Sequence, residues 1–361
     1  MNFSIFQNKR VFLTGHTGFK GSWLAVWLHR LGAEVYGYSQ PPPTEPSNYV
    51  LSRIRETLAG ETSGDIRDRM RLHEALAAAA PDVVFHLAAQ PLVRESYARP
   101  FDTFDVNVMG TASVLDAVRD LGRPCAVICI TTDKCYENRE QVWGYRECDP
   151  MGGHDPYSAS KGAAELLISS YRRSFFASTR LAQHGVQLAS ARAGNVIGGG
   201  DWAKDRIVTD MVTALHERRP VPVRNPHAIR PWQHVLEPLS GYLTLAAAML
   251  EKPDAAWSSA WNFGPVSGTE LPVGELVSAF TKAWGSGTWE DLSGVDQPHE
   301  ASILRLSIEK AGWELGWRPR WSCGEMIQRT ANWYRQALCE GADARSLCEA
   351  DIDAYSEESH L

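Results

Sequence analysis

The stretch Arg10-Val11-Phe12-Leu13-Thr14-Gly15-His16-Thr17-Gly18-Phe19-Lys20-Gly21 sets the reading of the whole chain. Arg10 to Thr14 is a mostly apolar run of strand length, Gly15, Gly18 and Gly21 follow at regular spacing, and Trp23, Leu24, Val26, Trp27, Leu28 and Leu31 then fall on a helical period. Strand, glycine turn and helix in that order open a βαβ unit. Such glycines let backbone N–H groups come close to a pyrophosphate, while the positive end of the helix supports its charge. The spacing is G-x-x-G-x-x-G rather than G-x-G-x-x-G. Gly15, Thr17, Gly18, Phe19, Lys20 and Gly21 are therefore the first candidate contacts for a dinucleotide.

Outward from this turn the alternation continues. A second strand, Glu34 to Tyr38, ends in Tyr38-Ser39-Gln40, where an acidic residue would ordinarily grip the adenosine ribose. Ser39 takes that place, and Lys20 is available to a 2′-phosphate, so NAD and NADP both stay open. Pro41 to Pro46 reads as a loop over the adenosine. A third strand begins near Leu58 and leads into Gly64-Asp65-Ile66-Arg67-Asp68, where Asp68 caps a helix through Ala80 and Asp65, next to Ile66, is a candidate acceptor for an adenine amino group. Asp82 to Leu87 is a fourth strand with a small-residue exit, Leu87-Ala88-Ala89-Gln90. Phe101 to Leu121 is helical, with Asn107 in mid-helix requiring a partner. A fifth strand, Cys125 to Ile130, runs into Thr131-Thr132-Asp133-Lys134, at the carboxyl end where an open α/β sheet faces its ligand. A helix from Tyr157 to about Leu181 and a sixth strand, Val186 to Ala191, complete the series.

Six βα units without internal repeats imply an α/β fold: a Rossmann-type doubly wound parallel sheet over 1–195. Over 196–340 the alternation loosens into a smaller mixed α/β carboxyl-terminal lobe, with a chain return to the first domain left open. Helices are expected there from about Asp205, Val235, Val273 and Ser322, with short strands such as Trp261 to Phe263. Residues 341–361 form an acidic tail without assignable pattern.

Within this frame, Asp155-Pro156-Tyr157-Ser158-Ala159-Ser160-Lys161 places a phenol and an ammonium one helical turn apart. A tyrosine titrates near pH ~10, and an adjacent fixed cation favours its phenolate. Tyr157 and Lys161 are thus a candidate acid/base pair, while Thr132, Asp133 and Lys134 put a hydroxyl, a carboxylate and an amine at the ligand end of the sheet. Arg206, Arg224 and Arg230 are candidate phosphate clamps.

Bulk properties narrow the classes. The chain has 361 residues, 44% hydrophobic and 22% charged, with a formal net charge of −7 and no basic cluster, which argues against nucleic-acid partners. Seven cysteines lack C-x-x-C spacing, so reduced thiols are expected and no metal site. No apolar segment approaches the ~20 residues of a membrane span, and the start of the chain does not read as a targeting peptide, so a cytoplasmic protein is expected.

Taken together, Thr14 to Gly21, Leu87 to Gln90, Thr131-Thr132-Asp133-Lys134-Cys135-Tyr136, Tyr157-x-x-x-Lys161, Arg192-Ala193-Gly194-Asn195-Val196-Ile197-Gly198-Gly199-Gly200-Asp201-Trp202 and Arg230-Pro231-Trp232-Gln233-His234-Val235 resemble the extended short-chain dehydrogenase/reductase family. Within it they resemble the nucleotide-sugar 4,6-dehydratases, from about Val11 to about Trp317. The resemblance implies a bound NAD that takes hydride from sugar C4 and returns it to C6. Tyr157, sharpened by Lys161, would take the C4 hydroxyl proton, Thr132 would bond the C4 oxygen, and Asp133 would protonate the departing C6 hydroxyl. It adds Leu87, Ala88, Ala89, Gln90, Asn107, Thr131 and Arg192 to the cofactor contacts. Arg94, Asn195, Asp201, Trp202, Arg206, Arg230, Trp232 and His234 become substrate contacts. Where many sister enzymes carry a glutamate as C5 base, this chain has Lys134, either a neutral base or an ammonium paired with Asp133. The Cys135-Tyr136-Glu137-Asn138 run and the Arg230 to Val235 loop favour a CDP-hexose substrate. UDP-N-acetylglucosamine dehydratases and nucleotide-sugar 4-epimerases are the alternatives. The family's usual packing of the helices near Phe101 and Tyr157 implies a homodimer or a dimer of dimers.

Overall fold

Short runs, the central ones rich in Val, Ile, Ala and Phe and buried on both faces, stack in parallel because helices cover each side. In the computed structural model, which describes residues 3–294 and 304–357, these runs are β1 (Arg10–Thr14), β2 (Glu34–Ser39), β3 (Gly60–Ser63), β4 (Val83–His86), β5 (Cys125–Ile130), β6 (Val186–Ala193) and β7 (Ala260–Phe263). They form one sheet in the order β7-β6-β5-β4-β1-β2-β3, with every pairing parallel. Strand order reverses at β1, between β4 and β2. The crevice above their carboxyl ends is where such a sheet binds its ligand.

One face is covered by α1 (Phe19–Arg30), whose Trp23 and Trp27 are fully buried. The other carries α2 (Arg69–Ala79), α3 (Gly110–Asp120) and α4 (Pro156–Ser174), with Leu72, Leu76, Val114 and Ile168 packed on Phe12, Val84 and Val127. Asp68 caps α2 through Arg71 N, as its position in sequence suggested. The helix expected over Phe101 to Leu121 is built from Pro100–Phe104, a π-turn over Asp105–Met109, and α3. That π-turn centres on Asn107. Such turns recur at functional sites.

Three expectations need correction. The strand around Trp261 belongs to the main sheet, where Trp261 pairs with Ala191 of β6, and not to the lobe. The helix after Tyr157 ends at Ser174, short of Leu181, because Phe176 turns into the core; Leu181–His184 is a separate turn closed by Gly185 at φ 67°. The tail is largely a helix. After α5 (Leu236–Glu251) and α6 (Cys323–Cys339), α7 (Ala344–Glu357) buries Cys348, Ile352 and Tyr355 in the core that contains α1. Only 358–361 of that tail lie outside the described residues.

Among the described residues the lobe also holds helices at Ile207–His216, Val273–Trp284 and Glu309–Glu314, and three two-stranded pairings. One of these, Val196–Ile197 with Gln233–His234, joins the two motif-bearing loops in parallel. Among the described residues no helix is long and apolar enough to cross a membrane.

Candidate active site

The dinucleotide cradle follows from the glycine turn. Gly15 has φ 78°, and a Cβ there would stand 2.7 Å from Ala88 N; one on Gly21 would stand 2.8 Å from the Gly15 carbonyl carbon. Only hydrogen fits at these two points, so the turn lies flat against the exit of β4. Thr17 Oγ1 sits 2.7 Å from Ser39 Oγ and donates to Gln40 O at 3.0 Å, tying the turn to the end of β2. Gln40 Nε2 donates to Asp65 Oδ2 at 2.7 Å, and Arg67 holds the same carboxylate at 2.6 Å. The Arg67 bond keeps the Asp65 carboxyl below its usual range despite partial burial. Ile66 is buried against Gly110.

Lys20 departs from expectation. Its ammonium is in electrostatic reach of Arg206, Asp133, Lys161 and Asp201, and burial, reinforced by Arg206, pushes its pKa down to about 8. Asn107 is also committed. Its Oδ1 accepts from Gln90 N at 2.9 Å, while Nδ2 donates to Gln90 O at 3.1 Å and Ser160 Oγ at 2.8 Å, so it clamps the exit of β4 to α4 instead of reaching for a cofactor. Leu87, Ala88 and Ala89 line that exit, and Ala88 N donates to Thr14 Oγ1 at 3.2 Å.

At the carboxyl end of β5, Thr132 is the hub. Its Oγ1 donates to Asp133 Oδ1 at 2.9 Å and accepts from Lys134 N at 3.4 Å, and the same hydroxyl pulls the Tyr157 pKa down against burial. Asp133 is 2% exposed, and its Oδ2 has no hydrogen-bond partner among the described residues. Burial pushes its pKa up, against the pull of Lys134, Thr132 and Lys20. A carboxyl so placed favours its protonated form, as an acid catalyst requires. Gly194 lies directly behind it: a Cβ there would stand 3.0 Å from Asp133 Cγ and closer still to Oδ2.

Tyr157 and Lys161 project from the first turns of α4, which Asp155 caps through Ser158 N at 3.0 Å. The expected sharpening of the phenol by Lys161 is not what the side chains show. Burial dominates and holds the Tyr157 pKa at about 12, with Thr132 opposing. Lys161, itself lowered to about 8 by burial, turns its Nζ to Ile130 O at 3.4 Å. In the protein by itself the phenol is a proton donor.

Several candidates serve other ends. Arg192 is 4% exposed and bonds Glu165 at 2.7 Å, Tyr136 OH at 2.6 Å and Glu147 O at 3.1 Å; it stands in the core and not over a cofactor. The Thr131 hydroxyl likewise goes to Glu165, at 2.5 Å. His234 is fully buried between Trp23 and Trp321, and burial takes its pKa down to about 3, so it cannot meet substrate. Trp232 is 8% exposed and donates to Leu271 O. Asp201 pairs with Arg206 at 2.5 Å, and Trp202 packs edge-on to Tyr334. Arg94 and Arg224 both reach Asp205, at 3.1 and 3.4 Å, which brings the α/β unit and the lobe together across the crevice. Arg230 and Asn195 lie half-buried on its lobe side.

Sequence reasoning missed Glu165 and the steric role of Gly194. Glu165 had a signal: it stands four residues beyond Lys161, on the same helix face.

Against known proteins, residues 12–330 match the model of the GDP-mannose 4,6 dehydratase family. A CDP-glucose 4,6-dehydratase from Salmonella typhimurium strain LT2 is 49% identical over 352 residues, 98% of this chain and 97% of that protein. A dTDP-glucose 4,6-dehydratase from Streptomyces antibioticus is 30% identical, covering 90% of this chain and 91% of its own length. Among solved structures, DesIV, a dTDP-glucose 4,6-dehydratase from Streptomyces venezuelae with NAD and TYD bound, superposes with a TM-score of 0.73 at 24% identity, covering 91% of this chain and 97% of that one. With the motif-bearing loops, the parallel sheet and the length of these matches in agreement, the chain belongs to the nucleotide-sugar 4,6-dehydratase family.

Proposed function

We propose that this protein converts CDP-D-glucose to CDP-4-keto-6-deoxy-D-glucose with loss of water, using NAD as a bound, regenerated cofactor. The observation that carries the reading is the buried Asp133 carboxyl, with one oxygen unpartnered, beside the Thr132–Tyr157 pair. An epimerase has no use for a leaving-group acid there. The glycine turn, the small Ala88-Ala89 exit and the polar end of β2 fit a dinucleotide, and Arg67, spent on Asp65 and Asp105, leaves NAD the better match than NADP. When bound, the oxidised nicotinamide accepts hydride from C4 and later delivers it to C6.

The chain's own residues do the rest. Tyr157, as its phenolate, receives the C4 hydroxyl proton, with Thr132 opposing the burial that otherwise keeps the phenol protonated. The 4-ketone acidifies C5–H, and we assign its removal to Lys134, on the turn that carries Asp133. Asp133 protonates the departing C6 hydroxyl. Arg94, Arg206, Arg224 and Arg230 supply charge for the diphosphate, and Asn195 and Trp202 flank the sugar. The sheet-bearing part with β7 and α7 forms the cofactor domain, and the lobe loops form the substrate side.

We also propose a homodimer, a reading supported by the apolar residues that α4 and the helical segments before α3 leave exposed, Phe101 (80%), Met109 (57%) and Leu166 (62%). A cytoplasmic location is part of the same proposal. Incubation with a panel of nucleotide-activated hexoses, followed by mass spectrometry, tests the assignment. CDP-glucose should lose one water and yield a ketone that absorbs in alkali; recovery of an epimerised hexose alone would end it.

A further inference from the structure

A buried carboxylate beside the site has no part in the reaction just described. Glu165, one turn beyond Lys161 on α4, is 4% exposed. Its Oε1 accepts from Thr131 Oγ1 at 2.5 Å, and its Oε2 accepts from Ser190 Oγ at 2.8 Å and Arg192 Nη2 at 2.7 Å. Arg192 passes the linkage on to Tyr136, whose hydroxyl donates to Asn262 Oδ1 of β7 at 2.8 Å. Burial pushes the Glu165 carboxyl up, but Arg192, Thr131 and Ser190 together outweigh it and keep it ionised. One carboxylate thereby fastens the helix of Tyr157 and Lys161 to the ends of β5 and β6.

We propose that Glu165 is a positioning residue for the dehydratase reaction, acting through Thr131 to fix the backbone that presents Thr132 and Asp133 to Tyr157 and Lys161. The inference rests on the function proposed above. Thr131 directly precedes Thr132, and its N–H is held by Ala191 O at 2.9 Å. With its hydroxyl anchored as well, the peptide leading into Thr132 cannot rotate. Without that anchor, the Thr132 hydroxyl, which holds the acid and bears on the phenol, is free to drift, and a misplacement of about 1 Å costs on the order of 10² in rate. Glu165 also sets the charge around Lys161. The groups facing that ammonium are Cys129 of β5, Cys135 and Glu165, with His86 of β4 and Lys20 of α1 in electrostatic reach. Glu165 is the carboxylate among them.

Three variants of the full chain, assayed with NAD and CDP-glucose, decide the matter. Thr131→Val cuts the link to β5, whereas Ser190→Ala removes a bond to the same carboxylate on β6, away from Thr132. Thr131→Val should lower kcat about tenfold with KM nearly unchanged, while Ser190→Ala lowers the melting temperature and leaves kcat intact. Glu165→Gln should lower kcat and also move the alkaline limb of its pH profile to lower pH, because Lys161 loses the negative charge that opposes its burial. Equal kcat losses in Thr131→Val and Ser190→Ala, following their stabilities, would overturn the proposal, as would an unmoved alkaline limb in Glu165→Gln. If Glu165→Gln fails to fold, the other pair still decides. The unmutated chain, run alongside, tests the dehydratase reading separately, since its failure to release water condemns that reading and not the anchor.

Discussion

Gly194→Ala isolates the acid step. Gly194 does not have a positive φ, so its backbone accepts alanine; the cost is purely steric. The new methyl would stand 3.0 Å from Asp133 Cγ and closer to Oδ2, where ordinary contacts begin at 3.4 Å. Oδ2 has no hydrogen bond to resist, so the carboxyl swings away by about 1 Å and strains its bond to Thr132. Because a mobile side chain yields and not the backbone, stability should fall by only about 1 kcal/mol, the low end for overpacking. A displacement of this size at a reacting group costs on the order of 10² in rate, or about 2.7 kcal/mol of barrier. The loss should be confined to elimination. In single turnover with CDP-glucose, reduced nicotinamide should form at the normal rate and persist, while 4-keto-6-deoxy product appears roughly a hundredfold more slowly. Product formation within about threefold of the parent, or equal slowing of oxidation and elimination, would refute the placement of Asp133 as the acid.

Other perturbations address separate groups. Tyr157→Phe should keep cofactor binding, followed by equilibrium dialysis, and lose on the order of 10²–10⁴ in turnover; near-normal rates would discard the phenol as proton carrier. Lys134→Met should still oxidise C4 but fail to exchange the C5 hydrogen with deuterated solvent, and deuterium appearing at the parent rate would clear Lys134 of that task. Asp351 on α7, raised to about 7 by burial, holds its proton in the folded chain at pH values where the unfolded chain has released it. Its contribution to stability therefore declines as pH rises from about 4 to about 7. Asp351→Asn should gain in melting temperature relative to the parent across that window, and a difference that stays flat or runs the other way would show that the carboxyl is not protonated in the native state.

Where physics is local, the fold was legible. Six strands and the glycine turn were visible because apolar runs bounded by Gly, Asp and Thr have few other readings, and Asp68 caps a helix where its position suggested. The site was legible in part for the same reason: Thr132, Asp133, Tyr157 and Lys161 stand at element ends that must face the crevice. Side-chain direction was not. Lys20 sits in the phosphate turn by sequence, yet its long stem carries the charge to Asp133 and Asp201. Arg192 and His234 lie in telling motifs, but their partners, Glu165 and the Trp23–Trp321 pair, come from distant segments that no spacing connects. The strand at Trp261 was misplaced and the helix from Ala344 was left unassigned because pairing with β6 and docking on α1 are long-range events; the helix hides Cys348, Ile352 and Tyr355 in an otherwise polar run.

The glycines of Gly198-Gly199-Gly200 have a bearing on how the molecule comes into being. A Cβ on Gly199 would stand 2.6 Å from Trp333 Cε2, Trp23 Nε1 donates to Gly199 O, and Tyr334 OH donates to Asp201 O from 133 positions downstream. The sugar-side loop is thus backed by a helix translated well after the glycine turn and its strand partners. The same stretch continues into α7, which closes the core around α1, so the seat for the sugar and the back of the cradle are completed together once the residues from Cys323 onward have been made.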